Sequence, residues 1–129
     1  MKIIISMFFL GFLMPLKKDT ISFISANPFS FKDIIVNLDN QQEQEVFGIL
    51  TLPENLSQNQ KIPLVIGVAG SKDWAEHHLE YMAMYQSMEI ATFELQAFGS
   101  RQVTSTVGSQ VEVTTAMIVL DSYRAFEKL

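Results

Sequence analysis

Cysteine is absent from the sequence. This absence excludes disulfide bonds and thiolate metal sites, so cysteine usage does not identify the redox compartment. Basic residues are also few, since nine Lys and Arg stand against fourteen Asp and Glu, giving a net charge of -5. No basic stripe is available to neutralise phosphates, and we therefore expect no nucleic-acid partner.

No apolar run in the sequence is long enough to span the ~30 Å core of a bilayer comfortably as a helix. The longest, Ile3–Met14, is interrupted only by Ser6 and Gly11 and follows Lys2. A basic start and an apolar middle are typical of a secretory signal. Residues 1–16 are therefore predicted to be a signal-peptide-like segment of a secreted or periplasmic protein. The alternatives are an uncleaved membrane-proximal anchor or a start codon assigned too early, and we expect membrane contact only through this segment.

The most informative pattern is the short apolar run Leu64–Val68, which is rich in β-branched residues and is closed by Gly70. Such a run is typical of a strand buried on both faces of a parallel sheet. Ligands of α/β proteins bind at the carboxyl ends of such strands. We therefore expect the chemistry to gather around Ala69, Gly70 and Ser71.

A helix over about 75–88 is predicted to follow this strand. Asp73 offers an N-cap, and Glu76 three residues later completes a capping-box pattern. Apolar residues at i, i+3, i+4 and i+7 are expected to fill the core: Tyr81, Met84, Tyr85 and Met88.

Two leading strands are predicted at Thr20–Ser25 and Val46–Leu52, antiparallel to each other at a sheet edge. Residues 37–45 are polar and predict a loop. The segment after the first strand is expected to be anchored by four apolar side chains: Phe29, Phe31, Ile34 and Ile35.

A further strand, Ile90–Leu95, should lie parallel to Leu64–Val68, because a helix joins the two. Ser109 with Glu112 predicts the start of a last helix. The tightest apolar stripe of that helix comprises Val113, Ala116, Met117 and Leu120. The predicted fold class is α/β, with two leading strands and then two parallel strands, each followed by a helix.

A set of short motifs adds a family resemblance. They are, in order, Gly70-Ser71, Glu76-His77-His78 with Tyr81, Ile90-Ala91-Thr92-Phe93, Phe98, Arg101, Val103-Thr104-Ser105-Thr106, Gln110-Val111, and Asp121 with Tyr123-Arg124-Ala125. This run, Leu64 to Leu129, resembles the dienelactone hydrolase-like branch of the α/β-hydrolase superfamily, and residues 18–61 fit it more loosely. The resemblance implies the amino-terminal portion of an α/β-hydrolase domain over residues 18–129, with strand order 1-2-4-3-5. It also implies hydrolysis of a small-molecule ester or lactone through an acyl-enzyme, without a cofactor.

The catalytic residues of that family are missing from this sequence. Its nucleophile elbow, Gly-x-Ser-x-Gly, would follow the last helix, with an acid and a histidine later. No such motif occurs, and the two histidines are adjacent. What matches is the oxyanion side, where the resemblance assigns one backbone N–H donor to Gly70 or Ser71. The sequence departs from the family at Ala69, where His is usual, and at Gln96, where Asp is usual.

Ser71 as a nucleophile lacks a nearby base, so a backbone donor or a turn role is favoured. His77 and His78 are neighbours on a helix and are expected to point in different directions, which argues against a shared metal ion. The resemblance places one of the two on the wall of the substrate site without deciding which. No metal site is predicted.

Arg101 has two open interpretations. It follows a parallel strand, where its planar fork suits a substrate carboxylate. Alternatively it forms a structural ion pair with Asp73 or Glu94. Trp74, at the helix start, is expected to pack near the rim of the substrate pocket. For the whole chain, the alternative to a hydrolase is a non-catalytic exported pseudoenzyme or interaction fragment.

Overall fold

The computed structural model describes residues 16–54, 56–57 and 60–129. The strands are β1 (Lys17–Ala26), β2 (Glu43–Leu52), β3 (Leu64–Gly67) and β4 (Ala91–Leu95), and the helices are α1 (Phe31–Val36), α2 (Glu76–Ser87) and α3 (Thr115–Lys128). Short 3-10 helices lie at Leu38–Asn40 and Gly99–Arg101. The apolar segment Ile3–Met14 lies outside the described residues. In the part that is described, no helix has the length and apolar character needed to cross a membrane.

The four strands form one mixed sheet in the order β1-β2-β4-β3. β1 pairs antiparallel with β2 over ten residue pairs, from Lys17 opposite Leu52 to Ala26 opposite Glu43. β2 is antiparallel to β4, whereas β3 and β4 are parallel. The predicted α/β order is thus confirmed, with α2 following β3 and α3 following β4.

The strand buried on both faces is β4, not β3. All five residues of β4 are buried, since β2 and β3 pair with its two edges and the helices α2 and α3 pack against it. β3 lies at an edge of the sheet; its residues are only half-buried, and Val68 just beyond it is 46% exposed. The prediction of a doubly buried strand at Leu64–Val68 is therefore wrong. A continuous apolar run shows that a strand is hydrophobic, but it does not show whether the strand has neighbours on both sides in the sheet.

The apolar stripe of α3 is confirmed, but its start is not. Ala116, Met117 and Leu120 are buried on α3, and the fourth predicted stripe residue, Val113, is buried just before the N-cap. The helix is capped by Thr114, whose Oγ1 accepts the Met117 N–H at 3.1 Å. Thr114 also donates to the carbonyl oxygen of Pro28 at 2.9 Å, a tertiary contact that local spacing does not show. The predicted cap at Ser109 with Glu112 is wrong.

The predicted stripe of α2 is displaced by one residue. Met82 is the buried residue of this helix, whereas Tyr81, Met84 and Met88 are exposed and Tyr85 is half-buried. One turn after Met82, the Gln86 side chain donates to Thr92 Oγ1 of β4 at 2.8 Å. The sheet-facing side of α2 is thus partly polar, and a search for apolar periodicity selects the wrong face.

The predicted cap of α2 is also wrong. The helix begins at Glu76 with Ala75 as its N-cap, and Asp73 lies in the preceding turn. Asp73 has a positive φ of 61°, which is not the extended conformation that an N-cap adopts.

The segment after β1 forms the short helix α1, and of the four predicted apolar anchors Ile34 is partly buried and the other three are exposed. Phe29, Phe31 and Ile35 are 66%, 52% and 79% exposed. α1 is fixed locally by a capping box between Ser30 and Asp33. The hydroxyl and the backbone N–H of Ser30 hold the pKa of the Asp33 carboxyl below its ordinary value of 3.8. This interaction stabilises the fold above the ordinary carboxyl pKa and is lost as pH falls through the lowered value.

Gly48 of β2 is a position where the fold requires the absence of a side chain. A Cβ there would overlap the ring of Phe93, which is fully buried in β4. We expect Gly48→Ala to destabilise the protein by about 1–3 kcal/mol, the usual range for overpacking a core. Chemical denaturation measures the loss. The matched control is Gly99→Ala, whose new Cβ would meet its nearest neighbours at 3.7 Å. Equal stability of the two variants would contradict this account of the β2–β4 contact.

Candidate functional site

The loop after β3 is held in place by hydrogen bonds to its carbonyl oxygens. The Gly70 carbonyl accepts the Asp73 N–H at 2.9 Å, closing a turn. The Ser71 carbonyl accepts the Thr106 N–H at 2.8 Å and the Ser105 hydroxyl at 3.2 Å. The loop is therefore held both by itself and by the segment that follows β4.

The N–H of Ser71 is available as a donor. Ser71 is exposed, and its N–H makes no hydrogen bond to any described residue. A depression of about 160 Å³ is lined by Ala69, Gly70, Ser71, Phe98, Thr106, Gln110, Val113, Thr115 and Ile118. Ligand pockets commonly measure about 300–1,000 Å³, so this depression is the size of one wall of a site.

A larger depression, of about 430 Å³, lies near the amino ends of β3 and β4, against Pro63, Met88 and Glu89. Ligands of open α/β sheets bind at the carboxyl ends of the strands instead. We therefore place the candidate site at the Gly70–Ser71 loop in spite of its smaller volume.

Trp74 packs behind the loop. Its indole N–H donates to the Leu95 carbonyl at 3.0 Å, and its ring lies against Gly67, where a Cβ would not fit. Because Leu95 follows the last residue of β4 that pairs with β3, this bond extends the junction of the two strands. Trp74 is not among the residues that line the depression.

The two histidines differ in their surroundings. His78 is half-buried and its Nδ1 accepts the Ala75 N–H at 3.0 Å, whereas His77 is exposed. Their ring centroids are 3.9 Å apart, so the prediction that the side chains point in different directions is wrong. Among the described residues, no group of three or more His, Asp or Glu side chains could hold a metal ion.

The side chain of Arg101 is buried, with 5% of its surface exposed. Its Nη1 and Nη2 form a two-pronged ion pair with Asp121 at 2.7 and 3.2 Å. The remaining N–H groups donate to Asn27 Oδ1 at 2.8 Å and to the carbonyls of Ala97 and Ala26 at 2.9 and 3.2 Å. All five guanidinium donors are thus engaged within the protein. The ion-pair partner is Asp121, and not Asp73 or Glu94 as predicted.

Asp121 is the important residue whose role sequence reasoning missed. It is fully buried, and its Oδ1 also accepts the Ser25 hydroxyl at 2.5 Å. Asp121 lies four residues after Met117 and one residue after Leu120, on the buried side of α3. An acidic residue within an apolar stripe requires a cationic or hydrogen-bonding partner. That position was the signal that could have identified the pair.

Comparisons of the chain with protein-family models, with curated proteins and with solved structures found no match. The structure brings Gly70, Ser71, Trp74 and His78 together around the carboxyl end of β3 and places Arg101 in a separate buried network. The site can donate backbone hydrogen bonds to an anionic oxygen. It does not contain a nucleophile with an adjacent base, because the Nδ1 of His78 is already bonded to the backbone.

Asp73 combines two unfavourable features in the site loop. Its φ is 61°, and its Oδ1 is buried without a hydrogen-bond partner among the described residues. We expect Asp73→Gly to raise the free energy of unfolding by about 1 kcal/mol, because glycine adopts positive φ freely. Urea denaturation measures the gain. Glu89→Gly, at a φ of 60°, is the control for backbone strain alone. A less stable Asp73→Gly variant would show that the carboxylate supports the loop.

Proposed function

We propose that this chain is the amino-terminal part of an α/β-hydrolase of the dienelactone hydrolase type, acting on ester or lactone bonds through an acyl-enzyme. The observation that carries the proposal is the Ser71 N–H, exposed at the carboxyl end of a parallel strand and unbonded within the described residues. A donor that is fixed before the reaction stabilises charge that develops on the substrate carbonyl oxygen.

Two further features support this proposal. The strand order β1-β2-β4-β3 agrees with the first four positions of the order implied by the resemblance. The loop after β3 also carries the motif Gly70-Ser71, to which the resemblance assigns the oxyanion donor.

In this scheme a nucleophile attacks the substrate carbonyl carbon, and negative charge moves to the carbonyl oxygen. The Ser71 N–H stabilises that oxygen, and collapse of the intermediate expels the alcohol and leaves an acyl-enzyme. Water then hydrolyses the acyl-enzyme. The nucleophile, base and acid are not in this sequence, so the proposal requires them from residues beyond it. No step requires a metal or a cofactor.

A non-catalytic role in an exported pseudoenzyme or interaction fragment is the second candidate. It is favoured by the edge position of β3 and by the exposed apolar side chains of α2 and its C-cap: Leu79, Tyr81 and Met84 on the helix and Met88 at the cap. Unpaired strand edges bind other strands readily.

The coding DNA downstream of Leu129 separates the two candidates. A further strand followed by Gly-x-Ser-x-Gly or Gly-x-Cys-x-Gly supports the hydrolase. A stop codon directly after Leu129 supports the non-catalytic role. A fluorophosphonate probe applied to the natural protein then reports whether an activated serine is present.

Export is a separate proposal with its own test. If Ile3–Met14 is a secretory signal, a carboxyl-tagged protein expressed in a bacterial host should leave the cytoplasm shortened at its amino end. Cell fractionation and mass spectrometry of the tagged product measure both properties. Full-length protein in the soluble cytoplasmic fraction would contradict the prediction.

A further inference from the structure

His78 connects the start of α2 to the candidate loop. Its Nδ1 accepts the Ala75 N–H, one of the donors that the first turn of a helix leaves unsatisfied. The Nε2–Cε1 edge of the ring lies beside Gly70, at about 4 Å from the position that a Cβ would occupy there. The ring also meets the Trp74 indole edge-on, with centroids 5.9 Å apart.

The bond from Ala75 defines the charge state in which this arrangement is stable. A ring nitrogen that accepts a hydrogen bond carries no proton, so a neutral His78 carries its proton on Nε2. Protonation would turn Nδ1 into a donor facing the Ala75 N–H, only 3.0 Å away. It would also place a positive charge at a helix N-terminus, where the macrodipole disfavours cations.

The neighbouring charged groups do not compensate for such a charge. Lys72 and Asp73 precede α2 on the loop, and Glu76 and His77 flank His78 on the helix. None of them forms an ion pair with His78 among the described contacts, and the His77 ring lies 3.9 Å away.

We propose that neutral His78 is a positioning residue for the oxyanion donor. It fixes Ala75 and the start of α2, and with them the turn from Gly70 to Trp74 that presents the Ser71 N–H. Acidification releases this attachment. The inference rests on the proposed function for its catalytic meaning, but the attachment itself can be measured without substrate.

The test compares full-length variants at pH 8 and pH 5.5 by thermal unfolding and by the amide NMR shifts of Ala75 and Ser71. In His78→Asn, the side-chain Oδ1 stands at the position of Nδ1 and accepts the same bond without titrating. His78→Ala removes the acceptor, and His77→Asn is the matched control one residue away.

The wild-type protein and His77→Asn should lose about 5 °C of melting temperature on acidification, corresponding to about one hydrogen bond. Their Ala75 and Ser71 amide shifts should change together between the two pH values. His78→Asn should match the wild type at pH 8 and lose this response. His78→Ala should resemble the acidified wild type at both pH values.

A His78→Asn protein whose melting temperature and amide shifts respond to acidification like those of the wild type would overturn the proposal. So would a Ser71 amide shift that does not follow that of Ala75. If His78→Ala fails to fold, the comparison of His78→Asn with the wild type still decides. Because no ester is used, a confirmed attachment together with a stop codon after Leu129 would refute the hydrolase and leave the role of His78 in the loop intact.

Discussion

Asp121→Ala should lower the free energy of unfolding by about 3–5 kcal/mol, because it leaves the buried Arg101 guanidinium without its counter-ion. The two side chains are 5% and 0% exposed, so water does not replace the lost carboxylate. Stability of a domain is commonly only about 5–15 kcal/mol, and the variant should therefore be close to unfolding at room temperature. Urea denaturation followed by circular dichroism measures the effect.

The control is Arg124→Ala, which breaks an exposed ion pair with Glu127 in the same helix. Such pairs contribute about 0–1 kcal/mol, so this variant should unfold almost like the wild type. A second variant, Arg101→Met with Asp121→Leu, removes both charges and should recover much of the loss. An Asp121→Ala protein within about 1 kcal/mol of the wild type would show that the pair is not needed.

If the natural protein is the proposed hydrolase, Ser71→Pro should lower its kcat by about 10²–10³-fold, because proline has no N–H to donate to the oxyanion. Ser71→Ala keeps the N–H and should leave kcat nearly unchanged. Steady-state hydrolysis of p-nitrophenyl acetate gives both values. The pair of variants separates a backbone donor from a side-chain nucleophile, since only the latter requires the hydroxyl.

The 129-residue chain alone should show no saturable turnover of the same ester, because a nucleophile needs a base within hydrogen-bond reach. Saturable hydrolysis by this chain that disappears in Ser71→Ala would contradict the backbone assignment. It would make Ser71 a nucleophile.

Local patterns predicted the elements of this fold well. The leading strands, the parallel pair and the α3 stripe all follow from hydrophobic periodicity and from the order strand, helix, strand. The helix starts were predicted less well. Ser109 and Asp73 satisfy the spacing rule for caps, but the residues that cap α3 and α2 are Thr114 and Ala75. Thr114 is also held by a tertiary hydrogen bond to the Pro28 carbonyl, whereas Asp73 lies in the turn closed by Gly70 with a positive φ that an N-cap does not adopt.

The sequence by itself determined that this is an α/β protein and that a turn follows β3 at Gly70–Ser71. Both depend on contacts between near neighbours in the chain. Only the tertiary structure decided that Arg101 pairs with Asp121, twenty residues away, and that His78 rather than His77 lies beside Gly70. A charged residue pairs with an opposite charge that tertiary packing places next to it. The sequence contains several candidate partners and does not show which one is adjacent. Only a fold that pairs the buried charge is stable, because burying an unpaired charge would cost more free energy than the net stability of a domain.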